Sequence, residues 1–123
     1  MQWPADASRI EGYHAHIYYS AETRALAERL RTAIADRFLV RIGRWQDQPI
    51  GPHPAAMYQV AFDIAEFPRF VPWLMLNHAG LSVLIHPMTN DGYADHMSHS
   101  LWLGKPLPLR FETAEERQGH FSS

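Results

Sequence analysis

The chain has 123 residues, of which 46% are hydrophobic and 20% charged, with a formal net charge of −2, eight histidines and no cysteine. That length and balance give one globular domain over residues 1–123 with a core of ordinary size, and they exclude a disordered tail and a broad electrostatic attraction for nucleic acid. No apolar run approaches the roughly 20 residues of a membrane span or forms a signal-peptide core, so a cytoplasmic location is expected; without thiols, any metal must sit on nitrogen and oxygen ligands.

From Tyr13 to Tyr19 the chain alternates Tyr13, Ala15, Ile17 and Tyr19 against His14, His16 and Tyr18, the period of a strand. Ser20 then reads as an N-cap. Leu26, Leu30, Ala33, Ile34 and Phe38 follow at helical spacing, with the charged residues largely off that stripe. Residues 39–45 and 57–62 read as strands two and three. The turn-rich connection between them carries Pro49, Gly51, Pro52, His53 and Pro54, and it is long for a hairpin. The spacing of Phe67, Phe70, Val71, Leu74, Met75 and His78 predicts a second helix, with Pro72 as its weak point and Gly80 as a left-handed cap. Residues 81–86 form a nearly continuous apolar strand that Pro87 ends.

The order β-α-β-β-α-β predicts an α+β fold, a ferredoxin-like sandwich with sheet order 4-1-3-2 and a C-terminal extension. The apolar part of that extension, residues 101–109, packs over the sheet, a neighbouring subunit, or both. A sheet face left bare by the helices and carrying aromatics usually finds a partner, so a homodimer is expected.

The histidines concentrate the chemistry. Imidazole is the commonest metal ligand and the side chain best suited to carry protons near neutral pH. His14 and His16 are two apart on a strand, so they share a face about 7 Å from each other, with Ala15 and Ile17 turned to the helices. In the predicted order strand four lies antiparallel to strand one, which brings His86 beside both. A surface pair and an edge residue are the plain alternative. His53 sits on the loop at the other end of the sheet and joins the cluster only if that loop folds back or reaches across a dimer. His96 and His99 share one side of a helical turn near Asp91 and Asp95. His78 belongs to a helix C-terminus and His120 to the tail. No phosphate-binding glycine loop, nucleophile elbow or His-Glu-x-x-His helix is present.

Tyr13-His14-Ala15-His16-Ile17-Tyr18-Tyr19, Pro49-Ile50-Gly51-Pro52-His53-Pro54, Val71-Pro72-Trp73-Leu74-Met75-Leu76-Asn77, Gly80-Leu81-Ser82-Val83-Leu84-Ile85-His86-Pro87 and Leu101-Trp102-Leu103-Gly104 together resemble the small DOPA 4,5-dioxygenase family of fungi and bacteria. The resemblance covers residues 13–109. It implies a ferredoxin-like, commonly dimeric subunit that uses non-haem Fe(II) and O2 to open a catechol such as DOPA on the extradiol side. Carried onto this sequence, its histidine motifs point to His16, His53 and His86 foremost, with His14 close behind; within that reading we expect His14, His16 and His86 as metal ligands, His53 and His96 as catalytic groups that move protons or orient substrate, and Tyr18, Tyr58 and Trp102 as substrate-binding residues. No carboxylate occupies an obvious ligand position, so the ligand set is all histidine or is completed by Asp91, Asp95 or Glu11. The alternative from another class is a non-catalytic ferredoxin-like dimer that binds a small aromatic ligand.

Overall fold

In the computed structural model, residues 3–111 are described. They form one antiparallel five-stranded sheet and three α-helices. The strands are β1 (Gly12–Tyr19), β2 (Arg41–Ile42), β3 (Ala56–Phe62), β4 (Val83–Met88) and β5 (Leu101–Leu103). The helices are α1 (Arg24–Arg37), α2 (Phe67–Asn77) and α3 (Gly92–Met97). The sheet runs in the order β2-β3-β1-β4-β5, so β1 lies between β3 and β4, and β5 extends the edge beside β4.

Alternation along β1 divides the molecule. Ala15, Ile17 and Tyr19 join Tyr58, Val60, Phe62, Val83 and Ile85 in a core closed by Ala27, Leu30 and Ile34 of α1 and by Phe70, Val71 and Leu74 of α2. Each large side chain buried there contributes about 1.5–3 kcal/mol. Aromatic packing fixes the geometry further: Phe62 meets Phe70 edge to face at 4.9 Å, and Tyr13 stacks on Phe62 at 5.5 Å.

Three local readings change. Ser20 does not cap α1. It opens a turn in which Thr23 N–H donates to the Ser20 carbonyl and Thr23 Oγ1 accepts from Ser20 N–H, and the helix begins at Arg24. The second strand shrinks to a two-residue rung because the pairing steps from Ile42↔Val60 to Gln46↔Met57, so that residues 43–45 face only 58 and 59. One extra residue there bulges the edge and breaks the ladder. Pro87 does not end β4, since β5 pairs only with Val83–Ile85 and the missing N–H falls where that flank has no neighbour. At the end of α2 both Ala79 and Gly80 adopt positive φ, 59° and 76°, and His78 Nδ1–H donates to the Leu81 carbonyl.

The second sheet face is covered by the chain itself. Tyr18, Met57 and Leu84 pack with Ala55, Trp102, Leu107 and Leu109, and Arg110 N–H donates to the Pro52 carbonyl at 2.7 Å. The C-terminal extension supplies this cover, with α3 and β5 as elements that periodicity did not reveal. A bare aromatic face, the reason for expecting a homodimer, is therefore not what the fold presents. His120 lies outside the described residues. Among the described residues no helix is long and apolar enough to cross a membrane.

Candidate metal centre

The histidine face is assembled from four stretches of chain. β1 contributes His14 and His16, and the antiparallel register sets His86 of β4 directly opposite His14. The ring of His14 lies 5.9 Å from that of His16 and 5.3 Å from that of His86. His16 Nε2 is 3.0 Å from His86 Nε2.

His53 joins them within the same chain. The 46–56 connection folds back over the sheet, held by His53 N–H donating to the Ile50 carbonyl and by the Arg110 bond to Pro52. The His53 ring reaches 4.2 Å from that of His16. His96 arrives on α3, whose N-terminus is capped by Asp91 accepting from Ala94 N–H. Its ring lies 3.9 Å from that of His86. His16, His53, His86 and His96 are each at most 3% exposed.

Burial dominates the electrostatics. Removal from water disfavours the imidazolium form, and at His14, His16, His53 and His86 neighbouring imidazoles add to the effect. His14 falls to about 4 and His53 to about 3. His16 lies well below its usual range, and His86 and His96 are lowered as well. The cluster is thus a set of neutral rings at neutral pH, the protonation state that ligates metals.

Two rings have their tautomer fixed by backbone. His86 Nδ1–H donates to the Pro87 carbonyl at 2.9 Å, and His96 Nδ1–H to the Gly92 carbonyl at 2.7 Å, so Nε2 is the lone-pair nitrogen of each. In the metal-free chain His16 Nε2–H donates to His86 Nε2.

The donor set fits a metal ion. Among the described residues His14 Nδ1, His16 Nδ1 and His53 Nε2 are buried without a hydrogen-bond partner, an arrangement costly to keep unless an ion or a ligand atom meets them. Two overlapping groups, His14 with His16 and His86, and His16 with His53 and His96, each bring three ligand nitrogens within 4.8 Å of one another. Two nitrogens 3.0 Å apart also match neighbouring ligands about 2.1 Å from one ion, the usual imidazole–metal distance.

The carboxylates considered as ligands are engaged elsewhere or exposed. Asp95 is buried, but it accepts from Thr89 N–H at 2.8 Å and Thr89 Oγ1 at 2.7 Å, which pins the β4–α3 turn. Asp91 is the cap of α3, and Glu11 is exposed. His99 parts from His96, being exposed and 3.5 Å from Asp95.

Of the predicted substrate-binding residues, Tyr18 and Trp102 share the histidine face, stacked at 5.8 Å, and the Tyr18 hydroxyl is 2.6 Å from His53 Nδ1. Tyr58 does not share it. Its partner across the ladder is Ile17, so its ring points into the helix-side core and its hydroxyl donates to the Ala27 carbonyl at 2.8 Å. Met57, Gln59 and Ala61, opposite Tyr18, His16 and His14, are the β3 residues on the histidine side. Gln59, the lone strongly polar residue of β3, carried the signal that sets this parity.

A sequence model described as the Dopa 4,5-dioxygenase family matches residues 13–113. An uncharacterized 21.2 kDa protein of Botryotinia fuckeliana is 36% identical over 86% of this chain and 64% of its own length. A DOPA 4,5-dioxygenase of Amanita muscaria is 33% identical over 83% of this chain and 49% of its own length. The chain thus spans about half to two thirds of these curated relatives. A crystal structure of a protein provisionally named a dioxygenase, from Nostoc punctiforme, superposes with a TM-score of 0.84 at 52% identity, covering 85% of this chain and 91% of that one.

Proposed function

The chain belongs to the Dopa 4,5-dioxygenase family, and from that premise we propose that it is an extradiol ring-cleaving dioxygenase acting on a catechol such as DOPA with Fe(II) and O2. The observation that carries this reading is the convergence of five histidines, four of them sealed from solvent, on the sheet face opposite the helices.

His16 and His86, with His14 beside them, would hold the ion. When bound, a redox-active divalent ion of this kind supplies the centre at which a catecholate and O2 meet, and imidazole donors suit iron. Both oxygen atoms of O2 enter the product as the ring bond beside the diol breaks, giving a hydroxymuconic semialdehyde. His53 and His96 would act on the substrate oxygens, and Trp102 would supply an aromatic wall. Trp102, Leu107 and Leu109, packed on Tyr18, Met57 and Leu84, would help to exclude water from the reacting atoms. The ferredoxin-like classification of the sheet, with β5 as an added edge strand, a homodimeric state and a cytoplasmic location belong to the same proposal.

The test is anaerobic loading with Fe(II), followed by DOPA and oxygen. Yellow semialdehyde absorbance with one O2 consumed per catechol is the expected result. No oxygen uptake across a panel of catechols by iron-loaded, folded protein would reject the enzyme and favour a binding protein for small aromatics.

A further inference from the structure

We infer that Tyr18 is a positioning residue that locks His53 as a neutral Nε2–H donor aimed into the histidine cluster, so that His53 is a hydrogen-bonding group for a ligand oxygen and not a metal ligand. Its role toward a substrate rests on the dioxygenase reading. The tautomer lock stands on geometry alone.

The Tyr18 hydroxyl and His53 Nδ1 are 2.6 Å apart, and both residues are buried, 3% and 1% exposed. Either the phenol donates to the imidazole, or Nδ1–H donates to the phenol oxygen. The second arrangement would leave the phenolic O–H without an acceptor among the described contacts, in a site closed by Trp102 and the tail. A phenol is the stronger donor and a neutral imidazole nitrogen the stronger acceptor, so the O–H donates to Nδ1. The proton of a neutral His53 ring then sits on Nε2, a buried atom with no hydrogen-bond partner among the described residues. An N–H cannot ligate a metal, whereas it can donate to an oxygen that gains negative charge during a reaction.

The contrast with His86 sharpens the assignment. There a backbone carbonyl takes Nδ1–H and leaves Nε2 as a lone pair. A carbonyl behind one ring and a phenol behind another give two histidines of the same cluster opposite polarities at Nε2. At these two rings the partner behind each has therefore set the polarity of Nε2 before any ion arrives.

Two measurements on the full chain test this. Long-range 1H–15N correlation spectra of the metal-free protein should show His53 solely as the Nε2–H tautomer and His86 solely as Nδ1–H, and Tyr18→Phe should turn His53 into a mixture. Co(II) titration followed by visible absorption should find affinity within about threefold of wild type in Tyr18→Phe and His53→Gln, while His86→Gln loses more than the roughly 10–100-fold that removal of a supporting partner costs. A wild-type His53 carrying its proton on Nδ1 overturns the inference, as does a His53→Gln loss of Co(II) affinity equal to that of His86→Gln. Neither readout involves turnover, so failure to cleave catechols would reject the enzyme while leaving this assignment to be judged separately.

Discussion

The two faces of the sheet are made from alternate residues of the same strands, and they obey opposite rules. Toward the helices, Ile17, Tyr58, Val60, Phe62 and Ile85 meet apolar neighbours and, in Tyr58, a satisfied hydroxyl. On the reverse, His14, His16 and His86 bring nitrogens together, and two of these, His14 Nδ1 and His16 Nδ1, are buried with no hydrogen-bond partner among the described residues. The first face lowers the free energy of folding, and the second spends some of that gain. A strand period of two lets one ladder keep stability and chemistry a single residue apart.

The sharpest way to break this comparison is to delete a ligand. His16→Ala or His86→Ala should abolish metal retention, read by metal analysis after desalting, while the metal-free chain keeps its fold. Unchanged metal content in both variants would disprove the ligand assignment. Phe62→Ala should do the converse, costing about 3–5 kcal/mol in denaturant unfolding while metal stoichiometry per folded molecule stays the same.

Acid separates the faces without mutation. The unfolded chain takes up protons on its histidines near pH 6.5, whereas in the folded chain His14 titrates at about 4 and His53 at about 3. Their depressed values make stability fully present above pH 6.5 and progressively lost as pH falls from there through the folded values. Metal-free protein should therefore lose stability steadily below pH 6.5, and His53→Gln should flatten that slope. A slope unaltered by the substitution would contradict the buried neutral state.

Smaller effects probe the supports. Asp95→Asn weakens both bonds to Thr89, and about 1–3 kcal/mol is expected together with weaker metal binding, because α3 carries His96. Arg24→Ala removes an exposed pair with Asp47 and a contact over Trp45, so a barely measurable loss in denaturant unfolding and no change in metal binding are expected.

How much could be read in advance followed the strength of local pattern. The alternation in β1 correctly assigned His14, His16 and Tyr18 to one side because apolar and polar residues take turns there. In β3 nearly every residue is apolar, which hid the parity and sent Tyr58 to the wrong side, although Gln59 marked it. α3 spans six residues and β5 three, too short for any period to register. The approach of His53 was undetermined for a different reason: a proline-rich loop has no repeating pattern, and its direction is set by Leu107, Leu109 and Arg110 far along the chain. Fold came from periodicity, while completion of the site came from long-range packing.

The bond from Arg110 to Pro52 has a consequence for biosynthesis. Strands β1 and β3 and both large helices emerge from the ribosome well before residue 110, so a nascent chain can assemble its scaffold while the His53 loop is still untethered. The centre is finished only once residue 110 clears the exit tunnel, and a message cut short before it would yield a well-built frame whose reactive heart never closes.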